Sequence, residues 1–187
     1  MDSSRGTAFA LTIDGLRVQA VDGFQVASLR HFDRAGNFAA AVNDALGEPV
    51  PQPLRASRSG AVPDAQVILA WRSPTETLLF CKAPAVFAAL EQRLAGAADG
   101  CMVDQTGGIC VFRVQGERGR DLLQRLGATS AIPGLGEACA GRLAEVQVLT
   151  VCVQTGEFLL FIERAYADHL AEWIRATVED YSHPGLF

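Results

Sequence analysis

The sequence predicts an α+β protein: a ferredoxin-like, mostly antiparallel sheet with helices packed on one face. Three observations predict it. Short apolar runs of strand length are punctuated by Asp-Gly, Thr-Gly and Pro turns. Amphipathic stretches of helix length interleave with them. The interleaving lacks the regular spacing that a doubly wound parallel sheet requires. The 187 residues are read as a single domain, 1–187. Within it, 1–47 carries N-terminal strands and a helix, 48–64 is an irregular linker, and 65–187 is the main α+β core. A chain of this size can bury about 70% of its unfolded surface, so it needs neither disulfide nor metal to hold a core.

Each element has its own warrant. Residues 1–33 alternate apolar stretches (Phe9 to Ile13, Val18, Val21, Phe24, Val26, Leu29) with turns at Asp14-Gly15 and Asp22-Gly23, giving two or three short strands. Phe38, Val42 and Leu46 recur every four residues, so 34–46 is a helix that Gly47 stops. Glu48 to Asp64 holds four prolines and shows no periodicity. Val67 to Trp71 and Thr77 to Cys81 form a hairpin around Arg72 to Glu76. Pro84 opens a helix with Val86 or Phe87, Leu90 and Leu94 inward. Cys101 to Asp104 is a short strand. Ile109 to Gln115 is a half-buried one, with Cys110, Phe112 and Val114 facing opposite to Arg113 and Gln115. Glu117 to Leu126 is a helix that buries Leu122, Leu123 and Leu126. After the loop Ile132 to Gly136 come strands Val146 to Val153 and Glu157 to Glu163, joined at Thr155-Gly156. The last helix, 165–181, presents Tyr166, Leu170, Trp173, Ile174, Thr177 and Tyr181 as its apolar stripe, so Trp173 and Leu170 are expected inside and Glu172 and Arg175 outside. Trp71, in the hairpin, is expected in the core as well.

Composition narrows the function. The net charge of −5 gives no electrostatic footprint for nucleic acid or an anionic membrane. The apolar runs fall far short of the roughly 18 residues of a transmembrane helix, and the N-terminus reads as carrying no signal peptide, which places the chain in the cytoplasm. Hydrophobic residues make up 49%, and the 18 glycines among 187 residues bring the share to about 58%, above the usual share of about 45–50%. Such a surplus, to which 29 alanines contribute, is what a chain that buries surface against partners would carry, and it predicts a large exposed apolar patch.

The residues do not assemble a reaction centre. The five cysteines (Cys81, Cys101, Cys110, Cys139, Cys152) are odd in number, form no CxxC and sit in apolar runs, as free core thiols do. His31, His169 and His183 lack partners at metal-ligand spacing. Asp104-Gln105-Thr106-Gly107-Gly108 lacks the lysine of a phosphate-binding loop and reads as a turn. Arg113, Arg118 and Arg120, with Arg125 beyond them, could cradle an anion or a partner's carboxylate, although Glu117 and Asp121 lie close enough to neutralise them. No catalytic, cofactor-binding or metal-ligating residue is assigned.

Three segments carry a resemblance. They are Leu69-Ala70-Trp71-Arg72-Ser73-Pro74-Thr75-Glu76, then Val103-Asp104-Gln105-Thr106-Gly107-Gly108 running on to Gly116-Glu117-Arg118-Gly119-Arg120-Asp121-Leu122-Leu123, and Glu163-Arg164-Ala165-Tyr166-Ala167-Asp168-His169-Leu170. In this order, over roughly residues 65–180, the chain resembles the gamma subunits of heterotetrameric sarcosine oxidases. More widely it is similar to the glycine-cleavage T-protein and its aminomethyltransferase relatives. The resemblance implies an aminomethyltransferase folate-binding-domain-like fold and an accessory, non-catalytic role. It implies alpha, beta and delta subunits as partners, with FAD, FMN, NAD, tetrahydrofolate and zinc held by those chains and none by this one. The complex it implies oxidises sarcosine to glycine, yielding hydrogen peroxide and a one-carbon unit for tetrahydrofolate. Leu149 to Phe158 lacks the paired aspartates of the catalytic T-protein loop, and the Lys-Gly-Cys motif of other folate-binding relatives is absent. The alternatives are a freestanding folate-binding or small-anion-binding domain of the same superfamily, and a homo-oligomeric domain with no enzymatic link.

Overall fold

The computed structural model describes residues 9–61 and 66–181, with the side chain of Tyr181 outside the description. The chain forms two compact units. One is drawn from Met1–Asp22, Gly108–Leu135 and Cys139–Phe187, the other from Gly23–Gly107 and Gly136–Ala138. The chain therefore passes between units at Asp22–Gly23, at Gly107–Gly108 and around 135–139. Residues 48–61 lie inside the second unit.

The first unit is built on strands β1 (Ala10–Ile13), β2 (Leu16–Ala20), β8 (Ile109–Gln115), β9 (Glu137–Leu143), β10 (Val146–Gln154) and β11 (Glu157–Glu163). Their order across the sheet is β1-β2-β8-β11-β10-β9. The ladders β1–β2, β2–β8, β8–β11 and β10–β11 are antiparallel. Helices α3 (Gly119–Leu126) and α4 (Ala167–Tyr181) pack together. They lie on the sheet face that carries Phe112, Val114, Leu160 and Ile162, and contribute Leu122, Leu123, Leu126, Leu170, Ile174 and Val178 to one core. Each such side chain taken out of water contributes about 1.5–3 kcal/mol.

The second unit holds β3 (Gln25–His31), β4 (Ala56–Arg58), β5 (Ile68–Ser73), β6 (Glu76–Cys81) and β7 (Gly100–Asp104), ordered β4-β5-β6-β3-β7. Its helices, α1 (Asn37–Leu46) and α2 (Pro84–Leu94), pack on the face bearing Leu29, Leu69 and Leu79. Helix α1 has no local side-chain cap. Instead Asp99, distant in sequence, accepts the Phe38 N–H at 2.9 Å. Pro84 opens α2 as expected, and Phe87, Leu90 and Leu94 are its buried residues.

The α+β class, the antiparallel pairing and the packing of helices on one face of a sheet all hold. The strands, however, divide between two sheets. Pairing β2 with β8 joins Arg17 to Gln115 across nearly 100 residues, which no local pattern announces. The 48–64 segment contains a strand, β4, because the chain beyond Pro53 again has N–H groups to offer. Ala56–Arg58 uses them to pair with β5. Strand β9 had no counterpart in the sequence reading. Strand β8 is buried on both faces rather than half-buried, since Val111 is as inaccessible as Phe112. In α4 the buried residues are Ala167, Leu170, Ala171, Ile174 and Val178, a stripe turned by about 70° from the expected one at 3.6 residues per turn. Trp173 (50% exposed) and Tyr166 (48%) consequently lie outside, and Thr177 on the margin. The stripe is paved with alanines, which let the helix approach the sheet closely and leave no room for the tryptophan. Glu172 and Arg175 are exposed, as expected. Trp71 is only half-buried.

Candidate cleft in the first unit

Three turns meet at one end of the six-stranded sheet. Gly15 closes the β1–β2 hairpin, Gly116 ends β8, and Thr155-Gly156 joins β10 to β11. The Gly116 N–H donates to Gly156 O at 2.9 Å, and the Arg118 N–H to Gly15 O at 3.1 Å. Gly116 has φ +112°, and a Cβ there would run into the Gly15 carbonyl, so the junction requires glycine.

Beside it opens a cleft of about 600 Å³, within the range of ligand-sized cavities. Gln115, Glu117, Arg120, Leu135, Cys152 and Glu157 are among its walls. Its most buried charge is Glu157, 8% exposed. The ladder sets Glu157 directly opposite Gln115, whose Nε2 donates to Oε2 at 2.9 Å. Arg113, two residues back on the same strand face, brings Nε within 3.6 Å of Oε1. The carboxylate is thus held by a cation and an amide, as a structural acid is.

The three arginines singled out in the sequence take different partners. Arg113 pairs with Glu157, and its Nε lies outside hydrogen-bond reach of any partner. Arg118 lies along Gly15, where its Cγ would be 3.3 Å from an added Cβ. Arg120 alone lines the cleft, donating from Nη1 to Pro133 O at 3.4 Å. The Arg113–Gln115–Glu157 group was missed by sequence reasoning. Its signal was two polar residues at two-residue spacing in an otherwise apolar strand.

The Asp104–Gly108 loop is a turn, as expected. Asp104 Oδ1 accepts the Thr106 N–H at 2.8 Å, Thr106 Oγ1 accepts the Val26 N–H at 3.0 Å, and the Gln105 N–H donates to Val26 O at 2.8 Å. Cys81, Cys110 and Cys152 are buried, and burial pushes the Cys81 and Cys110 thiols up from their ordinary range. His31 is 1% exposed and meets Thr77 Oγ1 at 3.2 Å through Nε2. Burial, and then the Arg34 charge, hold its pKa down. Among the described residues no three His, Cys, Asp or Glu side chains gather to hold a metal, and no helix is long and apolar enough to cross a membrane.

The fold defines a class. Over 84% of its length the chain superposes on the glycine cleavage system aminomethyltransferase T from Bartonella henselae (TM-score 0.60, 17% identity), spanning 44% of that protein. It superposes more fully on a chain of the heterotetrameric sarcosine oxidase from Corynebacterium sp. U-96, solved with pyrrole 2-carboxylate. There the TM-score is 0.80 and the identity 19%, over 95% of this chain and 91% of that one. At these identities the likenesses establish the aminomethyltransferase-like fold. Residues 32–180 match the family described as sarcosine oxidase, gamma subunit family. The chain belongs to the sarcosine oxidase gamma subunit family. No curated protein matches it in sequence.

Proposed function

We propose that this chain is the accessory gamma subunit of a cytoplasmic sarcosine oxidase, assembled with alpha, beta and delta chains. The partner chains hold FAD, FMN, NAD, tetrahydrofolate and zinc. The assembly demethylates sarcosine oxidatively to glycine, forming hydrogen peroxide and passing the one-carbon unit to tetrahydrofolate. The observation that carries this reading is the family match across residues 32–180. The site chemistry supports the non-catalytic part of it. The buried acid of the cleft is tied to Arg113 and Gln115, and burial pushes the thiols of Cys81 and Cys110 up from their ordinary range. Tagged chain co-expressed with alpha, beta and delta subunits should recover a yellow, flavin-bearing complex with sarcosine-dependent oxygen uptake. Elution of the chain alone and colourless overturns the proposal.

A second reading, a freestanding folate-binding or small-anion-binding domain, rests on Arg120 at the wall of the cleft. Calorimetry of the chain alone with tetrahydrofolate tests it, and absence of heat at sub-millimolar ligand removes it.

A further inference from the structure

The described surface exposes few large apolar side chains. Phe32, Leu54, Val103 and Leu135 belong to different segments, whereas Tyr166 and Trp173 share one face of α4 and its lead-in turn. They lie seven residues apart, two turns, so one stands above the other. The His169 ring lies against Trp173, with centroids 6.3 Å apart, and its Nε2 meets Ala144 O at 3.0 Å, which fixes the base of the ridge. The helix does not need either aromatic for its own packing, because Ala167, Leu170, Ala171, Ile174 and Val178 already fill the contact with the sheet.

The residues bordering the ridge along the helix include two acids. Glu172 precedes Trp173, and Asp180 follows it by two turns on the same face. The two arginines of this stretch are engaged elsewhere: Arg164 donates from Nη2 to Ile109 O at 3.1 Å, and the Arg175 guanidinium lies 5.5 Å from the centre of the Phe9 ring. We propose that this face, Tyr166 and Trp173 bordered by Glu172 and Asp180, is the docking ridge by which the chain seats in an apolar groove rimmed by Lys or Arg on a partner subunit. The proposal rests on the gamma-subunit reading and names the surface that reading leaves open. Charge selects this occupant. A second copy would bring acid to acid on a chain of net charge −5, and an anionic membrane would be repelled by the same border. Tryptophan and tyrosine are the side chains that dominate interface energetics when desolvated at the centre of a patch.

The test uses the full chain and the purified assembly of the remaining sarcosine oxidase subunits as probe. In a Trp71→Phe background this chain's own emission comes from Trp173 alone, read as the difference between the mixture and the assembly by itself. Binding should shift that emission to the blue and protect it from iodide. Trp173→Ala should weaken binding about 30-fold, the usual threshold of an interface hot spot. Tyr166→Ala should weaken it less, and Trp173→Phe should recover part of the loss. Glu172→Lys with Asp180→Lys should weaken binding and flatten its salt dependence. The circular dichroism of each variant should match wild type, since both aromatics are half exposed. Wild-type binding that survives all these substitutions overturns the ridge while leaving the subunit reading intact. Failure of wild type to bind the assembly overturns both. Trp173-dependent self-association of the chain alone overturns the choice of partner.

Discussion

Replacing Glu157 tests whether the most buried charge of the cleft is structural. Glu157→Ala removes the acceptor of the 2.9 Å bond from Gln115 Nε2 and the counter-charge 3.6 Å from Arg113 Nε. A hydrogen bond to a charged group is worth about 1.5–3 kcal/mol. The guanidinium left behind, its side chain 18% exposed, recovers only part of its hydration. The two losses share one site and do not add fully, so the expected destabilisation is about 2–4 kcal/mol. Glu157→Gln keeps an acceptor for Gln115 and loses only the charge, so it should cost less. Arg113→Leu with Glu157→Leu removes both charges and should return to within about 1 kcal/mol of wild type. Urea unfolding followed by far-ultraviolet circular dichroism measures all three. The chain folds as two compact units, so Trp173 emission in a Trp71→Phe background assigns the loss to the unit that holds Glu157. A Glu157→Ala variant within 0.5 kcal/mol of wild type, or a double variant worse than either single one, refutes the reasoning.

Three further outcomes are expected. The folded pKa of His31 lies below its unfolded value of about 6.5, so between the two the unfolded chain binds the extra proton. Stability should be complete above about pH 6.5 and fall as pH drops through that window, with a slope of at most about 1.4 kcal/mol per pH unit that His31→Gln abolishes. A slope unchanged in His31→Gln would assign it to another group. Brief alkylation of the folded chain, read by mass spectrometry, should modify Cys101 first and leave Cys81, Cys110 and Cys152 intact until urea is added; early labelling of Cys110 would contradict its burial. Gly116→Ala should cost at least about 1–3 kcal/mol, from positive φ and collision with the Gly15 carbonyl, and a midpoint equal to wild type would show that this junction can relax.

Legibility followed the range of the interaction that decides each feature. Helices α1, α2 and α3 were readable because their stripes use large side chains, Phe38-Val42-Leu46, Phe87-Leu90-Leu94 and Leu122-Leu123-Leu126, at helical spacing. The hairpin of β5 and β6 was readable because its strands pair with their neighbours in sequence. Strand β9 was not: its Glu137–Leu143 stretch alternates weakly and includes Gly141, pressed so closely to Ala131 that a Cβ would collide. The division into two sheets was not readable either, because it turns on pairings such as β2 with β8. At the cleft, the partners of the arginines clustered in sequence could not be read from that clustering. A strand-to-helix turn sends Arg113 toward β11 and Arg120 toward Pro133.

The apolar surplus shows the same lesson at the scale of the whole chain. It was expected to appear as a broad exposed patch. Instead the strands absorb most of it. In β11 every residue from Glu157 to Ile162 is buried, and β6 is buried from Thr77 to Cys81, which an ordinary half-solvated antiparallel strand would not require. Such strands raise the hydrophobic share without leaving anything for a partner. What does reach the surface is therefore better judged by position than by amount. An aromatic is informative where the core beneath it is already complete, and α4 is such a place: alanines, leucine, isoleucine and valine close the contact with the sheet, while Trp173 and Tyr166 remain outside it. Counting Trp173, a large apolar side chain, into the stripe at helical spacing gave the wrong helix face. The same size, on the outer face, makes it the residue through which a partner can be recognised.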